Sequence, residues 1–192
     1  MAVHSSANPL HFCESLGSMR QQTYRAMRIF LYCDGPLSPP LDAAIERHLV
    51  CAPGQDVVLR NEKPKGLATG LNCLIDRALQ DTSIRYLARM DSDDLSTPNR
   101  IASQVAFMES RPEVTVAGTW VIEFTTPGQS DFHKQLPSAP TEVAQFMLYR
   151  SPLAHPTVMF RRGVFERGHR YDPRRLIMQD YELWSRLLLA GE

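Results

Sequence analysis

Apolar and polar positions along the chain follow two periods, and each period predicts one kind of element. Short apolar runs bounded by Gly, Pro or Asp indicate buried strands, whereas apolar residues three or four apart indicate helices. Strands are predicted over 28–33, 56–60, 85–90, 114–124 and 155–160, and helices over 9–21, 41–49, 67–79, 141–149 and 180–189, with one more beginning near 97. This alternation predicts an α/β fold with a mostly parallel central sheet and helices on both faces.

The stretch over 125–140 interrupts the alternation. It is polar and contains Pro127-Gly128, Pro137 and Pro140, which are typical of turns and loops. We interpret it as a loop between a first half, 1–124, and a second half, 125–192. A chain of 192 residues is long enough for a single domain built from these two halves.

Three carboxylates follow directly after the predicted strand over 85–90. They belong to Asp91, Asp93 and Asp94, and a helix is predicted shortly afterwards. Acids this close repel one another unless a cation neutralises them, and Mg²⁺ or Mn²⁺ prefers such oxygen ligands. Mg²⁺ usually takes one or two carboxylates and leaves its other positions to substrate phosphates. The segment therefore fits a metal–diphosphate site, and a solvated acidic turn that caps the next helix is the alternative.

A second acid stands at the end of an earlier predicted strand. Asp34-Gly35 follows the apolar run over 28–33. In open α/β sheets ligands bind beyond the carboxyl ends of the strands, so Asp34 is expected to face the same crevice as the later acids. There it can accept from a base N–H or a ribose hydroxyl. An ordinary Asp-Gly-Pro turn is the alternative.

Composition narrows the classes of protein that remain. The formal net charge is +0, which argues against a nucleic-acid binder that works through a broad basic field. No apolar run approaches the roughly 20 residues that span a bilayer, and residues 1–8 lack the features of a signal peptide. The four cysteines form no CxxC pair. We interpret Cys33 and Cys73 as buried free thiols and expect a reducing cytosol.

Taken in order, the motifs of this chain resemble the family 2 glycosyltransferases, which have the GT-A fold. The motifs that carry the resemblance are Asp34-Gly35, Asn61…Gly66…Asn72, Asp91-Ser92-Asp93-Asp94, Pro98-Asn99-Arg100-Ile101…Gln104 and Asp180-Tyr181-Glu182-Leu183-Trp184. The segment over 150–161 and the lead-in Ala88-Arg89-Met90 resemble, more narrowly, bacterial enzymes of exopolysaccharide and O-antigen assembly of the amylovoran type.

The resemblance implies a role for each acid. Asp34 is similar to the family's uracil- or ribose-binding aspartate. Asp91 and Asp93 resemble its DxD pair, with Asp91 at the ribose or a water on the metal and Asp93 at the metal. Asp94 stands where some members place the ligating carboxylate, so both Asp93 and Asp94 are predicted metal ligands. Asp180 occupies the position of the inverting catalytic base.

Further binding residues follow from the same resemblance or from their place in the pattern. Lys65 and Asn72 are predicted to contact the nucleotide sugar, although a simple basic turn also explains Lys65. His155 is predicted to line the donor sugar, and a structural histidine with satisfied hydrogen bonds is the alternative. Arg100 and Gln104 lie one helical turn apart and are expected to anchor Asp91-Ser92-Asp93-Asp94, which is called the acidic segment below.

The resemblance also implies a reaction and its setting. We expect Mn²⁺ or Mg²⁺ as cofactor, a nucleotide sugar such as a UDP-hexose as donor, and a saccharide or lipid-linked acceptor in bacterial surface polysaccharide synthesis. The expected location is the cytoplasm, with peripheral contact to the inner membrane and no nucleic-acid partner. A sugar-nucleotide pyrophosphorylase and a non-catalytic nucleotide-binding or assembly module are the alternatives.

The ends of the chain depart from the family pattern. Only Met1–Ser5 is available for the first strand, and the chain stops at Glu192. We therefore expect a single GT-A domain over 1–192 that is truncated at both ends. In such a fragment the nucleotide pocket is expected to be looser near Asp34, and transfer is expected to be weak or absent.

Overall fold

The computed structural model describes residues 1–51, 54–125 and 132–192. Its strands are β1 (Ala2–His4), β2 (Phe30–Asp34), β3 (Val57–Arg60), β4 (Tyr86–Ala88), β5 (Val116–Ala117), β6 (Val121–Glu123), β7 (Phe132–Lys134) and β8 (Met159–Arg161). Its helices are α1 (Pro9–Arg20), α2 (Pro39–His48), α3 (Leu67–Leu79), α4 (Arg100–Ser110), α5 (Pro140–Phe146), α6 (Arg162–Glu166) and α7 (Gln179–Leu189), with a 3₁₀ turn over His155–Thr157.

The predicted parallel pairing is present in the first part of the chain. β1, β2 and β3 form one sheet in that order, and both pairs are parallel. His4 lies opposite Asp34 at the shared carboxyl edge. The connections contain α1 and α2, as expected for parallel neighbours, which need crossover connections. This edge of the sheet therefore carries Asp34, one of the predicted site residues.

A second three-stranded sheet has the order β4-β8-β5, with β8 antiparallel to both neighbours. β4 and β5 thus run parallel to each other, and the late strand β8 lies between them. A separate antiparallel pair joins β6 to β7. The α/β prediction is confirmed. The alternation of strands and helices along the chain did not predict that β8 would pair antiparallel between β4 and β5.

Two predicted strands were wrong in detail. The strand over 114–124 is two short strands separated by residues 118–120, because Thr119 donates its backbone N–H to Thr157 Oγ1 at 3.0 Å and leaves the ladder. The strand over 155–160 begins instead with the 3₁₀ turn and pairs only from Met159 onward. The predicted loop over 125–140 contains β7, and its residues 126–131 lie outside the described residues.

Two hydrophobic clusters hold the elements together. One packs α1 and α2 against β2 and includes Phe12, Leu16 and Leu31. The other packs α3, α6 and α7 against β8 and includes Phe160 and Trp184. Trp184, which is 3% exposed, is part of the core in this second cluster. The helix that was expected from Asn8-Pro9 is confirmed, since the Asn8 side chain accepts from Leu10 N at 2.9 Å and from His11 N at 3.4 Å.

A cavity of about 640 Å³ lies between β2 and β4 and is lined by Met1, Phe30, Leu87 and Arg89 among others. The Met1 ammonium group donates to Phe30 O at 2.9 Å, and burial, followed by the charge of Arg89, lowers its pKa to about 5. None of the predicted acids of the described chain lines this cavity. Arg89 and Tyr171, which also line the cavity, lie next to the predicted site residues in their other contacts.

Helix α3 approaches β2 so closely that only glycine fits at position 70. A Cβ at Gly70 would lie 2.4 Å from Cδ1 of the buried Tyr32 ring. Gly70→Ala is therefore expected to lower the free energy of unfolding by about 1–3 kcal/mol, as overpacking does, measured by urea denaturation.

Gly17→Ala is a matched control for this prediction. Gly17 also lies within a helix, but its added Cβ would be 3.5 Å from His48 Cε1, an ordinary contact. The alanine should then raise stability by up to about 1 kcal/mol through helix propensity. Equal effects of the two substitutions would contradict the close approach at Gly70.

Candidate active site

Asp34 ends β2 and fastens the loop that leads into α3. Its carboxylate accepts from Lys65 N at 2.6 Å and from Gly66 N at 3.0 Å. The loop turns at Gly66, whose φ of +86° favours glycine. The Lys65 side chain is exposed, so the structure brings its backbone, rather than its ammonium group, to Asp34. Each carboxylate oxygen of Asp34 therefore already accepts one backbone N–H, which fixes the orientation of this carboxylate.

The acidic segment follows β4 and is held from two sides. The carboxylate of Asp91 pairs with the Arg89 guanidinium, and its backbone carbonyl accepts from Ser15 Oγ of α1 at 2.9 Å. Asp93 is exposed, whereas Asp91 and Asp94 are half-buried. The three acids follow the strand, as the sequence predicted, and the structure adds that they differ in their access to solvent.

Arg100 and Gln104 of α4 anchor this segment, as expected. Arg100 Nη2 donates to Arg89 O at 2.7 Å, and its Nε donates to Gln104 Oε1 at 3.0 Å. Gln104 in turn donates to the carbonyls of Thr157 at 2.8 Å and Ala117 at 3.2 Å. These acceptors are backbone carbonyls or the buried Gln104 side chain, so the end of β4 has little freedom to move.

The acids interact strongly enough to change the protonation of Asp94. Burial, followed by the negative charges of Asp91 and Asp93, raises the pKa of Asp94 to about 6. Such a carboxylate gains from a nearby cation, which offsets both causes. Among the described residues no group of three or more His, Cys, Asp or Glu side chains could hold a metal on its own. A divalent cation at Asp93 and Asp94 would therefore need its remaining ligands from phosphates and water, and their role as metal ligands stays a prediction.

His155 lies in a buried polar group with Tyr171. Its Nε2 is 3.0 Å from the Tyr171 hydroxyl, and its ring makes edge contacts with Tyr171 and Trp184. Burial, followed by the charge of Arg89, holds the pKa of His155 well below its usual range, so the imidazole is neutral at pH 7. These contacts are the ones expected of a structural histidine with satisfied hydrogen bonds. The role of His155 at the donor sugar stays a prediction.

Asn72 fastens α3 to the segment that contains Tyr171. Its amide N donates to Tyr171 O at 2.8 Å, and its amide O accepts from Tyr171 N at 3.0 Å. Both polar atoms of the side chain are therefore engaged with backbone. The predicted contact of Asn72 with the nucleotide sugar stays a prediction, and the structure adds a positioning role that sequence spacing alone did not suggest.

Asp180 lies in the first turn of α7, after Met178, which adopts the left-handed conformation with φ of +57°. Within the described residues its carboxylate makes no hydrogen bond or ion pair. Burial raises the pKa of Tyr171, and the charges of Asp180 and Asp91 raise it further. The carboxylate of Asp180 and that of Asp91 therefore lie within electrostatic reach of the same hydroxyl.

The charges of Asp91 and Asp180 thus both act on the buried Tyr171 hydroxyl, while Asp93 and Asp94 belong to the same segment as Asp91. Asp34 lies at the end of the other sheet, and no hydrogen bond or ion pair among the described residues joins it to the acidic segment. Sequence reasoning did not assign a role to Tyr171. Nothing in its local sequence reveals that it meets Asn72 and His155, because those contacts depend on the tertiary fold.

Comparison with known protein families identifies the family of this chain. The profile of "Glycosyl transferase family 2" matches residues 11–168, which include the acids at 34, 91, 93 and 94. The chain belongs to glycosyl transferase family 2. The resemblance seen in the motifs is confirmed, and membership of this family does not support the pyrophosphorylase alternative.

Curated members of family 2 match the whole chain. The amylovoran biosynthesis glycosyltransferase AmsE of Erwinia amylovora is 34% identical over 191 residues, covering 100% of this chain and 69% of its own length. A UDP-Gal:alpha-D-GlcNAc-diphosphoundecaprenol beta-1,3-galactosyltransferase of Escherichia coli is 29% identical over 192 residues, covering 100% of this chain and 67% of its own length. The narrower likeness to enzymes of bacterial polysaccharide assembly is thereby confirmed.

Solved structures show that this family 2 chain has the GT-A fold. The mannosyltransferase PcManGT from Pyrobaculum calidifontis, in complex with GDP-Man and Mn²⁺, matches with a TM-score of 0.69 at 14% identity, over 99% of this chain and 51% of that one. TarS 1-349 of S. aureus, in complex with UDP-GlcNAc, matches with a TM-score of 0.63 at 16% identity, over 95% of this chain and 53% of that one. The chain therefore spans about half the length of these solved proteins.

Proposed function

We propose that this chain transfers a sugar, with inversion, from a nucleotide-diphosphate sugar to a saccharide or lipid-linked acceptor in bacterial surface polysaccharide synthesis. The observation that carries the proposal is the pair of features that a chain of family 2 presents here: three acids that follow β4 and, in the first turn of α7, an Asp180 carboxylate without a partner among the described residues. A UDP-hexose is the expected donor. The E. coli relative named above supports this choice, because its name specifies UDP-Gal.

Each of the acids Asp34, Asp91 and Asp180 has a separate role in this reaction. Asp34 accepts from the base or ribose, beside the backbone N–H groups of Lys65 and Gly66. Asp91 binds the ribose side of the donor. Asp180 takes the proton of the acceptor hydroxyl as that hydroxyl attacks the sugar on the face opposite the leaving diphosphate, the geometry that inversion requires. Its carboxylate is available for this role because no described side chain pairs with it.

A divalent cation fits this site, and Asp93 and Asp94 would hold it. When bound, Mn²⁺ or Mg²⁺ supplies positive charge that stabilises the leaving phosphate. Lys65 adds a mobile cation near the diphosphate, and His155, which is neutral, is proposed to line the donor sugar. Asn72 holds Tyr171, the hydrogen-bond partner of His155, in place through its two hydrogen bonds to the Tyr171 backbone.

Nucleotide release tests the proposed function. The protein is incubated with UDP-sugars and GDP-sugars, each with Mn²⁺ or with chelator, and with polyprenyl-diphosphate saccharides as acceptors. Release of UDP that depends on the acceptor and on the metal supports the proposal. Tight UDP binding without any transfer would favour the non-catalytic module instead.

Peripheral contact with a membrane forms part of this proposal. No helix in the described parts of the chain is long and apolar enough to cross a bilayer. The loop ahead of α7, however, exposes three successive apolar side chains, Leu176 at 93%, Ile177 at 76% and Met178 at 59%. Arg174 and Arg175 precede them. Exposed apolar and basic side chains together are typical of contact with an anionic lipid surface.

The membrane contact predicts vesicle binding that depends on this loop. Replacing Leu176 and Ile177 with serine should reduce flotation with phosphatidylglycerol vesicles by about tenfold, since each buried apolar side chain contributes roughly 1.5–3 kcal/mol before ordering costs. Leu189→Ser is the matched control, because this exposed leucine lies at the far end of α7. Equal flotation of all variants, or equal binding to uncharged vesicles, would argue against the contact.

A further inference from the structure

Arg89 is a buried cation at the start of the acidic segment. The residue is 5% exposed. Its Nη2 donates to Oδ1 of Asp91 and its Nη1 donates to the carbonyl of Met90. Its Nε has no partner, and among the described residues only Trp184 Nε1 shares this state of a buried, unpaired side-chain nitrogen. The guanidinium is thus only partly satisfied.

A buried guanidinium with an unpaired Nε is not an efficient way to stabilise the fold. Burying a guanidinium costs desolvation free energy, and one carboxylate with an unsatisfied Nε offsets it incompletely. The position follows Ala88 and precedes the buried Met90, and an apolar side chain there would avoid the cost. A cation at position 89 is therefore better explained by its effect on the neighbouring side chains than by its contribution to stability.

Arg89 contacts Asp91 and influences the protonation of three further groups near the candidate active site. Its charge opposes the rise in the pKa of Asp94 and of Tyr171, and it adds to the effect of burial in lowering the pKa of His155. It contacts Asp91 through one carboxylate oxygen, Oδ1, while Oδ2 has no described partner. The pairing fixes the orientation of the Asp91 carboxylate and leaves its second oxygen available.

We propose that Arg89 is a positioning residue that orients Asp91 so that its free oxygen accepts from the nucleotide sugar. The inference rests on the proposed function, because it requires Asp91 to bind the nucleotide. Arg89 itself does not touch the donor. Its pairing with Asp91 also balances part of the negative charge of the acidic segment, so the three acids can remain close before a cation binds.

A double-mutant cycle with UDP and MnCl₂ as the probe tests this assignment by calorimetry. Arg89→Met should weaken UDP binding by about tenfold or more in the parent protein, as loss of a buried charge partner does. In the Asp91→Asn background the same substitution should change affinity by no more than about twofold. A role in general stability would instead give the same loss in both backgrounds.

Arg100→Met is the matched control. It removes another buried guanidinium of the same network, one that contacts the carbonyl of Arg89 and no carboxylate. Any loss of UDP affinity that it causes should carry over unchanged into the Asp91→Asn background. If Arg89→Met fails to fold, Arg89→Lys and Arg89→Gln are put through the same cycle, with thermal melting to confirm that they are folded.

The outcomes separate this inference from the proposed function. A parent protein that binds UDP, with additive losses for Arg89 and Asp91, would overturn the positioning role and leave the proposed function intact. Unchanged affinity in the Arg89 variants would do the same. A parent protein that binds neither UDP nor GDP with Mn²⁺ would overturn the proposed function, and with it this inference. Coupling confined to the Arg89–Asp91 pair supports the assignment.

Discussion

Replacing Asp180 with asparagine is expected to leave the protein folded and able to bind UDP with Mn²⁺, while slowing sugar transfer by at least about 100-fold. This is the usual scale for the loss of a positioned general base. Asparagine is nearly isosteric with aspartate but cannot take a proton from the acceptor hydroxyl. The measurement is the rate of UDP release with a saturating acceptor, in a form of the protein that turns over.

The fold explains why this substitution should spare stability. Asp180 lies in the first turn of α7 and makes no capping hydrogen bond there, so asparagine removes only its interaction with the helix dipole. That interaction contributes about 0.3–1 kcal/mol at an exposed helix end. A melting temperature within a few degrees of the parent value, together with unchanged UDP affinity, would assign the lost rate to chemistry.

Glu182→Gln provides the matched control for Asp180→Asn. Glu182 stands in the same first turn, but its carboxylate pairs with Arg186 at 2.6 Å. It is therefore already engaged, and its replacement should change the transfer rate by only a few fold. Comparable losses in the two variants would mean that charge at the start of α7, and not a base at position 180, governs the rate.

Local sequence signals predicted those parts of the fold that depend on local chemistry. The bounds of α3 were predicted correctly because Gly66 can adopt the positive φ that precedes the helix and the apolar spacing continues to Leu79. The acids at 91, 93 and 94 were placed at a strand end because the strand before them is apolar. In each case the deciding information lies within a few neighbouring residues.

Long-range pairing explains what the sequence did not reveal. β8 enters between β4 and β5 in the antiparallel sense, a choice set by tertiary packing that no local pattern encodes. The break at 118–120 depends on Thr157, which is 38 residues away from Thr119. Arg89 offered a signal, a cation inside an apolar run next to acids, but only the structure showed that it pairs with Asp91.

The acidic segment is expected to bind a cation in a way that depends on pH. Asp94 has a pKa raised to about 6, so its carboxyl group takes up a proton as the pH falls through that value. A proton and a divalent cation compete for the same oxygen. Affinity for UDP with Mn²⁺ should therefore fall below pH 6, by about tenfold per pH unit while one proton is displaced. Calorimetry between pH 5 and 8 measures this slope.

Replacing the proposed metal ligands, Asp93 and Asp94, should change affinity and stability in opposite directions. Asp93→Asn and Asp94→Asn are each expected to abolish most of the difference in UDP affinity between Mn²⁺ and chelator, and Asp94→Asn should also flatten the pH slope. Without metal the raised pKa means that folding favours protonated Asp94, so the parent protein loses stability as the pH rises from about 4 through about 6. Asp93→Asn removes one of the negative charges that contribute to this loss.

The metal-free Asp93→Asn protein should therefore melt at a higher temperature than the parent at pH 7, and the difference should shrink at pH 4, where Asp94 is protonated. Three like charges at a strand end store repulsion that Arg89 relieves in part and a bound cation would relieve further, which is the trade of stability for function that active sites make. UDP affinity that does not depend on metal, or melting temperatures that do not depend on charge at position 93, would show that the acidic segment is a solvated turn.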